Sequence, residues 1–142
     1  MDEAVSLQDR IVIVTGAARR IGRALAQACA AAGADVVVHF HRSEEDASHT
    51  QHQIVALGRR AWLMQADLEE PEQAASLIRR SAELGRLFGL VNNAAIFGQV
   101  PMRETSLAEW ERYLAINVTA PYILSKEFAG SLGTGVDGRI IN

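Results

Sequence analysis

Ile11-Val12-Ile13-Val14-Thr15-Gly16-Ala17-Ala18-Arg19-Arg20-Ile21-Gly22 passes from a β-branched apolar run, through a turn of small residues, into the opening of a helix. The run is short and apolar throughout, as in a strand buried on both faces. Gly16 permits a tight turn, and Gly22 lets the helix pack close to the strand. The free N–H groups of the first helical turn then face an anion. The alternative is a merely structural turn. A strand before the glycine pair and a helix after it favour a dinucleotide-binding turn.

Outward from this turn, strand-like and helix-like stretches alternate. Ile21 to Ala32 predicts a helix with Ile21, Leu25, Ala28 and Ala32 on one face, stopped by Gly33. Asp35 to His39 predicts a second strand. Ser43 to Leu57 predicts a helix, capped by Ser43, favoured by Glu44, Glu45 and Asp46 at its positive end, and ended by Gly58. Ala61 to Gln65 is a third strand. Pro71 suits the start of a helix that continues from Gln73 to Leu84, and Leu87 to Val91 is a fourth strand. A longer helix is predicted from about Leu107 to Ala129, with Ser106 and Glu109 at capping-box spacing; Arg139-Ile140-Ile141 begins a fifth strand. Alternating β and α with apolar strands implies an α/β fold, a Rossmann-like doubly wound parallel sheet in the order 3-2-1-4-5, cut short at strand 5. Ligands of such sheets sit at the carboxyl ends of strands 1 and 4. Residues 1–142 form one domain on this reading.

Composition narrows the class. Of 142 residues, 49% are hydrophobic, which excludes a disordered chain. Lys+Arg 14 against Asp+Glu 17 gives a net charge of −3, so no nucleic-acid partner is expected. No apolar run reaches about 18 residues, so no membrane span is expected. The opening Met1-Asp2-Glu3-Ala4-Val5 lacks the marks of a signal peptide. The single cysteine, Cys29, excludes an internal disulfide and suits a reducing cytoplasm.

Thr15-Gly16 through Gly22 resembles the Thr-Gly-x-x-x-Gly-x-Gly signature of the short-chain dehydrogenases/reductases, with Arg20 in place of the middle glycine. That variant looks like the pteridine reductase branch. The end of strand 2, His39-Phe40-His41-Arg42-Ser43, has no acid until Glu44. An acid there would bind a ribose 2′-hydroxyl and repel a 2′-phosphate; Arg42 and Ser43 instead suit the phosphate, so NADPH/NADP+ is expected. Arg42 as a plain surface charge is the alternative. His-Phe-His-Arg-Ser also resembles the pteridine reductase pattern. His39 and His41, two apart on a strand, would face one side, but no cysteine or carboxylate completes a ligand set, and no metal is expected.

The resemblance implies further roles. Asp67 would bond the adenine amino group and the Leu68 amide a ring nitrogen; a helix-capping Asp is the alternative. Val91-Asn92-Asn93-Ala94-Ala95 is similar to the family's Asn-Asn-Ala-Gly. Asn92 would tie neighbouring strands, and Asn93 and Ala94 would line the ribose and the nicotinamide floor. Ala95 departs from the usual Gly and from the Ser common in pteridine reductases. The implied cofactor set is Gly16, Arg19, Arg20, Ile21, His41, Arg42, Ser43, Ala66, Asp67, Leu68, Asn93, Ala94 and Ala95. Phe97 would stack a flat pterin against the nicotinamide, with Arg20 also facing substrate, although Phe97 could instead anchor its loop.

Pro121 deprives the Asn117 carbonyl of its helical partner, which makes a water site. The family holds a proton-relay water with such an Asn, so Asn117 is the catalytic candidate; an Asn relaxing a kink is the alternative. The family's Tyr, Lys and orienting Ser or Asp would lie beyond Asn142. Tyr122-x-x-x-Lys126 has the right spacing but sits in ordinary helix-4 sequence and is set aside. The expected function is thus NADPH-dependent hydride transfer to a small molecule, a pterin or folate-like ring. A general carbonyl reductase and a non-catalytic cofactor-binding module or inactive piece are the alternatives. Without the family's Tyr and Lys this piece would have no turnover, and its unfinished sheet edge would leave it prone to pair or aggregate. Relatives are commonly tetramers built on helix 4 and the helix after it, which implies a homo-oligomer for a full-length form.

Overall fold

The computed structural model describes residues 6–142; the Met1–Val5 stretch read for a signal peptide lies outside them. A five-stranded, all-parallel sheet has the order β3-β2-β1-β4-β5, with β1 Ile11–Val14, β2 Asp35–Phe40, β3 Ala61–Gln65, β4 Leu87–Val91 and β5 Arg139–Ile141. β1 lies at the centre because each of its residues is apolar and can be covered on either face. Helices α1 (Arg20–Ala31) and α2 (Glu44–Ala56) cover one face, and α3 (Pro71–Ala82) belongs to the other. The alternation along the strands sorts the core. Val12, Val14, Val36 and Val38 pack with Ala26, Ala30, Ala47 and Ile54. Ile11, Ile13, Val37 and Leu90 pack with Leu77 and Ile78 and with Leu124 and Phe128 further along the chain.

Three predicted details change. The helix expected over Leu107–Ala129 is α4 (Leu107–Leu114), a π-helical turn (Ala115–Thr119) and α5 (Ala120–Ser131). The Ala120 amide reaches back to the Ala115 carbonyl, so the turn is one residue wider than an α-turn. Pro121, with no amide to give, sits just after it. The buried face of α1 is Gly22, Ala26 and Ala30, whereas Ile21 is 70% and Leu25 37% exposed. Small residues win that face because α1 lies close against the sheet. Ser43 occupies the N-cap of α2 but makes no side-chain cap bond. The Ser106–Glu109 capping box forms with both arms, and Pro71 opens α3. No helix among the described residues is long and apolar enough to cross a membrane.

Candidate functional site

β1 and β4 are adjacent, while their crossover helices lie on opposite faces, so a crevice opens at their carboxyl ends. Both Thr15–Gly22 and Asn92–Ala95 converge there.

Thr15 fastens the two together. Its buried hydroxyl donates to the Val91 carbonyl (3.3 Å) and accepts from the amides of Asn93 (3.0 Å) and Ala94 (2.9 Å). Asn93 returns the tie: its Nδ2 donates to the carbonyls of Thr15 (3.0 Å) and Gly16 (3.3 Å). Gly16 is left-handed, with φ 62°, and a Cβ there would lie 3.1 Å from Ala94 Cα. A Cβ on Gly22 would collide with the Gly16 carbonyl and lie 2.6 Å from Asn93 Nδ2. No side chain fits between α1 and the turn, which brings the helix N-terminus up to the crevice. Arg20, Ile21 and Gly22 are the first three helical residues, so their amides have no intrahelical partner. Arg20 has a left-handed backbone, with φ 54°. A non-glycine residue held so costs on the order of 1 kcal/mol.

The structure gives His39 a place among backbone amides. Its ring is 2% exposed; Nδ1 accepts from the Gly16 amide (3.0 Å) and Nε2 lies 3.1 Å from the Ala66 carbonyl. Its own carbonyl accepts from the Ala17 amide at 2.9 Å. Burial pushes the imidazole down to about 4, assisted by His41 and Arg80 and opposed by the Ala66 carbonyl. β2 ends at Phe40, so His41 does not continue a strand face; it is half-buried beyond the strand, 3.5 Å from Asp67. No group of three or more His, Cys, Asp or Glu placed to hold a metal occurs among the described residues.

At the far side, Arg42 is exposed and Ser43 half-buried beside the first turn of α2. Arg19 lies 3.8 Å from Asp46, an ion pair at the same helix start. Arg23, unremarked in the sequence, donates to the Ala18 carbonyl (2.8 Å), to Thr50 Oγ1 (3.0 Å) and to Asp46 Oδ1 (3.3 Å), fastening the turn to α2. Ala66 and Leu68 are buried at the end of β3. Asp67 does not cap α3, whose N-cap is Glu70; its Oδ1 accepts from the Glu69 amide and its other oxygen faces His41.

Asn92 joins β4 to α5 and to the end of the chain, its Nδ2 donating to Ser125 Oγ (3.2 Å) and Asn142 Oδ1 (2.8 Å). Asn117 sits in the π turn, and its side chain grips the Ile96 backbone: Oδ1 accepts from the amide (2.8 Å) and Nδ2 donates to the carbonyl (2.6 Å). The amide side chain is therefore engaged with the loop. Asn93, Ala94, Ala95, Asn117 and Tyr122 line a cleft of about 400 Å³. Phe97 stands 84% exposed beyond it, so the reading in which it anchors its loop by burial does not hold. A larger groove of about 780 Å³ along β1, β4 and β5 contains none of these residues.

Residues 10–142 match the family model described as short chain dehydrogenase, and the chain belongs to that family. It is 38% identical over 145 residues to a short-chain type dehydrogenase/reductase of Picea abies, covering 96% of this chain and 54% of that protein. It is 32% identical to the 3-oxoacyl-[acyl-carrier-protein] reductase of Synechocystis, with coverages of 96% and 56%. Thus the chain spans about half the length of the curated relatives it matches. Among solved structures, it resembles a short chain dehydrogenase from Burkholderia cenocepacia in complex with NADP (41% identity, TM-score 0.88, covering 94% and 54%). It also resembles a blue fluorescent protein from a metagenomic library in complex with NADPH (36%, 0.89, 96% and 56%).

Proposed function

We propose that the chain forms the NADP(H)-binding part of a short-chain reductase that moves hydride between the nicotinamide and a small-molecule substrate. The observation that carries this is the packing of Gly22 on the Gly16 carbonyl, which presents the open amides of α1 at the strand crossing. A bound dinucleotide fits that cradle, because its diphosphate would meet the amides of Arg20, Ile21 and Gly22 and the side chains of Arg19 and Arg20. Arg42 and Ser43 would take the 2′-phosphate, and Asp67, with Ala66 and Leu68, the adenine. Asn93, Ala94 and Ala95 would form the floor of the ribose and nicotinamide. The cofactor supplies the hydride when bound. The protein's share is to hold the nicotinamide over Ala94 and to order a water at the Asn117 carbonyl for the proton that accompanies reduction.

For the substrate, the exposed Phe97 ring, with Arg20 at the start of α1, favours a flat, polar heteroaromatic ring of the pterin or folate kind. A general carbonyl reductase is the second reading, favoured by Ala95, which offers no hydroxyl to such a ring, and by the likeness to the Synechocystis ketoacyl reductase. NADPH fluorescence titration tests the cofactor: enhancement is expected, and Arg42→Ala should weaken NADPH about tenfold or more while leaving NADH nearly unchanged. Equal losses would refute the 2′-phosphate assignment. Steady-state reduction of a dihydropterin against a ketoester by the full-length protein separates the two substrate readings. Binding without turnover of either would favour a cofactor-binding module.

A further inference from the structure

We propose that His39 is a positioning residue for the cofactor's diphosphate, acting through the peptide plane between Thr15 and Gly16. The inference rests on the NADP(H) reading above. That plane is pinned at both ends: its carbonyl oxygen accepts from Asn93 Nδ2 at 3.0 Å, and its N–H donates to His39 Nδ1 at 3.0 Å. Gly16 is left-handed and has no Cβ, so the plane would otherwise rotate readily. Rotation would swing the residue whose carbonyl lies under Gly22, and the N-terminus of α1 would shift with it.

His39 takes the Gly16 amide with its ring and the Ala17 amide with its carbonyl, drawing both away from the crevice. The anion is left to the amides of Arg20, Ile21 and Gly22. Because the Gly16 amide can only donate, Nδ1 carries no proton, and the neutral ring holds its proton on Nε2, toward the Ala66 carbonyl (3.1 Å). One imidazole thus joins the diphosphate turn to the strand end that leads into Asp67. Burial keeps the ring neutral at ordinary pH.

Two variants separate the two bonds. Asn places its Oδ1 about where Nδ1 stands, and Gln places its Nε2 about where the ring Nε2 stands. His39→Asn keeps the acceptor for Gly16, and its affinity for NADP+ should stay within about threefold of the native protein. His39→Gln keeps the donor to Ala66 but loses the Gly16 acceptor, and NADP+ should weaken about tenfold or more. The probe 2′-AMP, which is too short to reach the turn, should bind both variants within about threefold of native, and urea midpoints of the variants report folding separately. Nitrogen-15 spectra of the native ring should show Nδ1 unprotonated. A matching loss of NADP+ and 2′-AMP in His39→Gln would mean a merely structural role. NADP+ affinity unchanged in His39→Gln, or lost equally in His39→Asn, would overturn the proposal. Failure of the native protein itself to bind NADP+ would instead overturn the cofactor reading.

Discussion

Adding one methyl group at Gly22 should harm this protein, while the same change at Gly130 should help it. A Gly22 Cβ would meet the Gly16 carbonyl, which cannot retreat, because Asn93 Nδ2 holds that oxygen and His39 the amide of the same residue. α1 would have to move off the turn. Overpacking of this kind costs about 1–3 kcal/mol. Strain on the two Asn93 bonds, to Thr15 and Gly16, adds about 1–2 kcal/mol. The gain in helix propensity returns only about 1 kcal/mol. The net loss is about 1–4 kcal/mol, a fall in urea midpoint of about 0.5–2 M at about 2 kcal/mol per M. Gly130, in α5, has nothing within 4 Å of its added Cβ, so Gly130→Ala should gain up to about 1 kcal/mol. Urea unfolding followed by circular dichroism measures both, and NADPH fluorescence should report weakened binding only for Gly22→Ala. A Gly22→Ala midpoint at or above that of the native protein would refute the close-packing argument for the turn.

Acid should weaken the fold through His39. Its folded value, about 4, lies below the unfolded 6.5, so between those values the unfolded chain binds the proton that the folded one refuses. The contribution, about 3 kcal/mol at about 1.4 kcal/mol per pH unit, is fully present above pH 6.5 and lost as the pH falls to about 4. Urea midpoints at pH 7 and 4.5 should therefore differ less in His39→Asn than in the native protein; an unchanged difference counts against the reading. Asn117→Ala should cost about 1 kcal/mol and speed amide exchange at Ile96, because both bonds to that residue go, whereas Asn117→Asp, which keeps the acceptor, should fall between. Identical exchange at Ile96 in all three proteins would show that Asn117 does not hold the loop.

The strands and their order were legible because burial on both faces leaves an unmixed apolar signature, as in Ile11–Val14 and Val36–Val38. The glycine pair was legible too, since close backbone approach excludes every other residue. The face of α1 was misjudged because large apolar residues are the usual guide to a buried stripe. Here contact with the sheet selects Gly22, Ala26 and Ala30 and leaves Ile21 outside. The bonds made by Thr15 and His39 were not legible, for a related reason. Each acts on backbone amides more than fifteen residues away in the chain, and no local spacing announces such a bond. His39 beside His41 suggested ligation, while the ring had been drawn inward by an amide of the neighbouring strand's turn. Arg42 and Phe97, by contrast, are exposed; the absence of an acid at the end of β2 pointed to Arg42, and the family resemblance to Phe97.

The wide turn at Ala115–Thr119 also resets the rotational phase of everything after it. In an uninterrupted α-helix, at about 100° per residue, Trp110, Leu114, Leu124 and Phe128 would share a single seam. The extra residue turns the later pair by roughly that angle relative to the earlier one. Leu124 and Phe128 consequently point into the sheet, 1% and 0% exposed, while Trp110 and Leu114 stay at the surface, 53% and 39% exposed. One added backbone unit splits what reads as a single hydrophobic ridge into an inward half and an outward half, and it does so at the residue that holds the Ile96 loop.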